Sequence, residues 1–129
     1  MRSMIEAIKD AINEGWIFEL EVERADCDAP GYDKSTAIIY NTEDPYGSCT
    51  DRSTGDAVLV ALRMHLEGEI VPAAEDAPII KQMDWLARRH RKIRITSKGG
   101  QVTVLLNQIL ECPKNVSGPT LEETLSKAK

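Results

Sequence analysis

The chain has 129 residues, 42% hydrophobic and 29% charged, with one Phe, two Trp and three Tyr, so it can build one domain around a mainly aliphatic core. No apolar run reaches the length of a membrane helix. The net charge of −5 conceals a division: residues 1–75 hold 6 Lys and Arg against 16 Asp and Glu, net −10, and residues 76–129 hold 10 against 5, net +5.

Ser3 and Glu6 have the spacing of a capping box, which predicts a helix from Ser3 that stops at Gly15. Met1 to Asn13 is amphipathic and carries acids, unlike a signal peptide. A strand is predicted over Trp16 to Arg24, with Trp16, Phe18, Leu20 and Val22 on one face and Glu19, Glu21 and Glu23 on the other. Asp26 to Lys34 reads as a loop, and Thr36 to Asn41 as a second strand. A short third strand is expected around Tyr46 to Cys49.

Ser53 and Asp56 mark another helix start, and Ala57 to Leu66 is apolar nearly all round, which predicts a well-buried helix ended by Gly68. Residues 69–75 form a connector. Ile79, Ile80, Met83, Leu86 and Ala87 make one apolar stripe on the next helix, which Asp76 is placed to cap with Pro78 in the first turn. Ile93 and Ile95 then alternate with Lys92, Arg94 and Thr96, as a strand does, and Lys98-Gly99-Gly100 predicts a tight hairpin into Gln101 to Leu106. A further strand is expected over Ile109 to Cys112 and a loop over Pro113 to Pro119. Thr120 and Glu123 then open a last short helix.

Met4, Ile5, Ile8, Ala11 and Ile12 match Ile79, Ile80, Met83, Leu86 and Ala87 at an offset of 75 residues, and Phe18 and Leu20 match Ile93 and Ile95. The reading is a single α+β domain, 1–129, made of two pattern repeats, 1–68 and 76–129. Each is a helix-strand-strand-(strand)-helix unit, and together they form one mainly antiparallel sheet with packed helices. The charged strand faces imply that one sheet face is at least partly wet.

The helix closing in Gly15-Trp16, the alternating strand Ile17 to Val22, the polar loop with its second strand and the small-residue helix Gly55 to Arg63 carry a resemblance. With these features the first 66 residues resemble the small bacteriophage proteins grouped as the phage ABA sandwich domain. The resemblance implies helices on both sheet faces, a phage or prophage origin and an accessory role. It supplies no catalytic residues.

Three surface features bear on function. Arg88, Arg89, His90, Arg91, Lys92 and Arg94 form a basic cluster that can hold phosphates. Arg88 and Arg89 can instead offset the macrodipole in a helix's last turn, and Lys92 and Arg94 can face Glu19 and Glu21 across the sheet. Trp85 falls about 200° round the helix from Met83, opposite the apolar stripe and beside Lys81, Arg88 and Arg89, a composition found at interface hot spots. The first helix carries Glu6, Asp10 and Glu14 at the positions equivalent to Lys81, Trp85 and Arg89, so the two helices can pair within one molecule or between two.

Cys27, Cys49 and Cys112 are odd in number and lack CxxC spacing, which suits a reducing compartment and makes the cytoplasm the expected location. No metal site or cofactor is implied, and no nucleophile-base or phosphate-loop motif is present. The expectation is a non-enzymatic accessory protein that binds a protein partner of host or phage through the Trp85 face or the acidic first half, and that forms a homo-oligomer. Nucleotide or nucleic-acid binding through Arg88, Arg89, Arg91 and Arg94 is the alternative, and an enzyme ranks last.

Overall fold

A computed structural model describes residues 1–23, 34–41, 50, 52–107 and 114–128. In chain order the described elements are α1 (Met4–Asn13), β1 (Ile17–Glu23), β2 (Lys34–Tyr40), α2 (Thr54–His65), α3 (Asp76–His90), β3 (Lys92–Lys98), β4 (Gln101–Asn107), β5 (Lys114–Gly118) and α4 (Leu121–Lys127).

Three helices start where a hydroxyl takes up an orphan amide. Ser3 Oγ accepts from the Glu6 N–H at 3.1 Å, Ser53 Oγ from Asp56 at 3.4 Å and Thr120 Oγ1 from Glu123 at 3.2 Å. The fourth start corrects the sequence reading. Asp76 does not cap its own helix; Glu75 sits at the N-cap of α3 and makes no side-chain cap hydrogen bond. The Asp76 carboxylate, 3% exposed, accepts instead from the N–H groups of Met4 (3.2 Å), Ile5 (3.1 Å) and Ala73 (2.7 Å). The residue that opens the second half therefore caps the first helix of the first half.

The sheet is antiparallel throughout, in the order β2-β1-β3-β4-β5. Gly99 and Gly100, both at positive φ, make the two-residue turn that sets Lys98 opposite Gln101. Phe18, Leu20 and Val22 from β1, Ala37 and Ile39 from β2, Ile93 and Ile95 from β3, and Val102, Val104 and Leu106 from β4 all enter one buried cluster. The apolar stripes of all four helices enter the same cluster, so the helices form one layer on one face of the sheet. Among the described residues this differs from the two-sided helical cover that the resemblance implies. The connector is tied down as well: Arg2 makes an isolated parallel bridge with Ile70, and its guanidinium donates to the Glu67 carbonyl.

β1 and β3 form the seam between the two halves. Phe18 lies opposite Ile95, Leu20 opposite Ile93, and Glu19 opposite Arg94. These are the positions matched at the 75-residue offset, taken in reverse, which is the register that a two-fold axis near Glu19 and Arg94 produces. The junctions into the two strands differ in chemistry. The first turns through Gly15 at φ +98°, whereas the second turns through Arg91 at φ +71°.

The expected loop over Pro113 to Pro119 is corrected by β5, whose residues 114–118 pair with β4. Val116 is its one large apolar residue, so no alternation advertised it; pairing with Val102 to Leu106 supplies what pattern does not. Gly118 belongs there for a steric reason, because a Cβ would lie 2.7 Å from Thr124 Oγ1 in α4. The α2 surface is also less enclosed than predicted, since Met64 is 57% exposed. The strands expected around Tyr46 to Cys49 and Ile109 to Cys112, the Asp26 to Asp33 part of the first loop and all three cysteines lie outside the described residues. Among the described residues no helix is long and apolar enough to cross a membrane.

Candidate functional site

The basic run from Arg88 to Arg94 is contiguous in sequence and divided in space. Arg88 and Arg89 are on α3, on the helical side of the sheet. Arg91, Lys92 and Arg94 reach the glutamates of β1 on the opposite face, which carries no helix among the described residues. Each guanidinium has its own partner. Arg88 Nε donates to Asp84 Oδ2 at 2.7 Å, one helical turn back. Asp84 also accepts from the Thr54 hydroxyl, and Thr54 Oγ1 lies 2.9 Å from Ser35 Oγ. Ser35 and Thr54 are buried, so this polar chain fastens α3 to α2 and β2.

On that opposite face the centre is Glu19, which pairs with Lys92 and Arg94 across the sheet as one reading of the sequence has it, but is buried where a wet face was expected. It is 6% exposed. Arg94 Nε donates to its Oε1 at 2.7 Å, Tyr40 OH donates to the same oxygen at 2.8 Å, and Lys92 Nζ sits 2.9 Å from Oε2. Burial works to raise the Glu19 carboxyl, but the hydrogen bonds from Lys92, Tyr40 and Arg94 outweigh it and hold the group below its ordinary range. Burial and the Glu19 hydrogen bond push the Tyr40 hydroxyl up, and the same carboxylate raises Arg94 further. Arg91 Nε lies 3.5 Å from Glu21 Oε1 with both side chains well exposed, a pair worth little. Ile38 and Leu105 flank the Glu19–Arg94 pair on either side, half-buried.

The outward face of α3 has a different character. Trp85 is 45% exposed, Lys81 and Arg89 are exposed, and the Arg89 guanidinium stands 5.3 Å from the Trp85 ring centroid. The buried residues Met83, Leu86 and Ala87 occupy the other side of the helix, so the Trp is not a core residue displaced by crowding. On α1 and at its C-cap, Glu6, Asp10 and Glu14 are all exposed. Asp10 is bridged by Arg2 at 3.0 Å, and Glu6 accepts from the Ser3 hydroxyl at 3.3 Å. The sequence-predicted residues thus fall into three groups: Lys81, Trp85 and Arg89 together on α3; Arg88 bonded inward; Arg91 and Arg94 on the far face.

Sequence reasoning missed Tyr40, Asp84 and Thr54 as partners of these charges. Asp84 four residues before Arg88 was a usable signal; Tyr40 and Thr54 depend on tertiary placement. A cleft of about 140 Å³ lies between the end of α1, the β3–β4 turn and the start of α4, lined by Lys9, Asn13, Ser97, Gly100 and Thr120 among others. It is smaller than the usual small-molecule site. Lys9 at its rim is held by Glu122, and Ser97 Oγ donates to Asn13 Oδ1 at 3.1 Å.

A scan against protein-family models found no match, and searches of curated proteins and of solved structures found none either.

Proposed function

We propose that this chain is a small, non-enzymatic accessory protein of phage type that binds a protein partner through the outward face of α3. One observation carries the reading: Trp85, the largest exposed aromatic, stands beneath Arg89 on a helix whose core contacts are already complete. Exposed Trp and Arg side by side are the residue types at which partner surfaces anchor. The resemblance of residues 1–66 supports the phage-type origin. The alternative of phosphate binding by the arginine cluster is weaker, because Arg88, Arg91 and Arg94 are each turned onto a carboxylate and do not converge.

The test is site-specific photocrosslinking from position 81 in cells that express the full chain, with and without Trp85→Ala. A discrete adduct that disappears in the variant is expected. Adducts unaffected by Trp85→Ala, or a heat of binding for any nucleotide or oligonucleotide at low salt that is abolished by replacing Arg88, Arg89 and Arg91, would overturn it.

A further inference from the structure

We infer that one partner of the α3 face is a second copy of this chain, docked helix layer to helix layer so that α3 of each copy lies against α1 of the other. The inference rests on the reading of α3 as a binding face and names its occupant.

Both helices pack on the same face of the sheet and bury their inner stripes in the same cluster. Their outer stripes therefore lie on one side of the molecule, pointing away from the sheet. Those stripes are opposite in charge at equivalent positions. α1 presents Glu6, Asp10 and Glu14; α3 presents Lys81, Trp85 and Arg89, all exposed. Within the described chain the acids of α1 do not meet the cations of α3: Asp10 is paired with Arg2, and Arg89 lies over Trp85.

A surface that is acidic along one helix and basic along its neighbour complements its own copy about a two-fold axis running between the two. Such an axis sets each α3 on the opposing α1 twice over, so the contact closes at two copies and does not propagate into a filament. Each dimer then covers two Trp85 rings. The rings supply the desolvated anchors, and the surrounding charges select the orientation and speed the encounter.

Sedimentation of the full chain tests this with two variants, Lys81→Glu/Arg89→Glu and Asp10→Lys/Glu14→Lys. All four positions are exposed, and thermal melts verify that both variants fold. The unsubstituted chain is expected to dimerise, more weakly as salt is raised. In each variant alone both contacts set like charges together, so dimerisation weakens by about tenfold or more. An equimolar mixture of the two restores opposite charges at both contacts and is expected to recover a dimer. A chain that stays monomeric at tens of micromolar, variants that dimerise as well as the parent, or a mixture that gains nothing over its components would each overturn the inference. A monomer that still yields a Trp85-dependent adduct in cells would sink the second copy while leaving the binding role of α3 in place.

Discussion

Replacing Asp76 with alanine removes one carboxylate and leaves three amides without an acceptor, those of Met4, Ile5 and Ala73. The first turn of α1 has no spare acceptor for them. Ser3 Oγ already serves Glu6, and the Ser3 carbonyl serves Ala7. A lost N-cap costs about 1 kcal/mol, and hydrogen bonds to a buried charged acceptor are worth about 1.5–3 kcal/mol each. Two of the three bonds here are long and one is short, so the expected loss is about 3 kcal/mol. For a domain of this size that corresponds to a fall in Tm of about 10 °C. Asp76→Asn keeps one accepting oxygen and should cost about 1 kcal/mol, similar to Ser3→Ala. Urea unfolding followed by tryptophan fluorescence measures all three, with the slope unchanged if the mechanism is local. An Asp76→Ala loss below 1 kcal/mol, or no larger than that of Ser3→Ala, would refute the claim that the second half caps the first.

Three further outcomes follow from the geometry. Because the Glu19 carboxyl is held below its unfolded value, its stabilisation is complete above about pH 4.5 and is lost as pH falls through the lower folded value. Glu19→Gln should therefore flatten the acid limb of a stability-pH curve, and should cost about 1–2 kcal/mol at pH 7, since Arg94 and Lys92 remain partly solvated and can rehydrate. Arg91 is a non-glycine residue at φ +71°, so Arg91→Gly should stabilise the chain by about 1 kcal/mol relative to Arg91→Ala, which keeps the strain; equal melting temperatures for the two would show that none is stored there. Gly118→Ala should destabilise by about 1–3 kcal/mol, because the new methyl meets Thr124 in α4, and pairing it with Thr124→Ala should recover part of the loss in a double-mutant cycle.

What could be read without coordinates was whatever the chain settles within a few residues. The serine and threonine caps at positions 3, 53 and 120 act on an amide three positions away, and the Gly99-Gly100 turn is its own instruction. The misreadings share a cause, which is a partner far off in sequence. Asp76 has the chemistry of a cap and stands in front of a helix, but its donors lie 71 and 72 residues earlier. Glu19 was placed on the correct face of β1 with Lys92 and Arg94 as candidate partners across the sheet; its burial was not foreseen, because Tyr40 joins it from β2. β5 offers one large apolar residue in five and acquires its structure from β4. At the candidate site, helical periodicity located Trp85 correctly, since facing outward is a property of the helix alone. It could not show that Arg88 turns inward to Asp84, and strand alternation left open whether Arg94 meets Glu19 or a phosphate.

The seam between β1 and β3 has a consequence for chain exchange. Glu19 opposite Arg94 makes the first half a poor mate for another first half, since two glutamates would then meet at the axis. It says nothing about whose second half arrives: the β3 of a neighbouring chain presents the same Lys92, Ile93, Arg94 and Ile95. What distinguishes the chain's own second half is the strap before it. Arg2 on Ile70 and Glu67, and Asp76 on Met4 and Ile5, fasten the connector to the helix of its own first half. Those contacts shorten the tether between the halves, which favours the chain's own β3 over a neighbour's through local concentration.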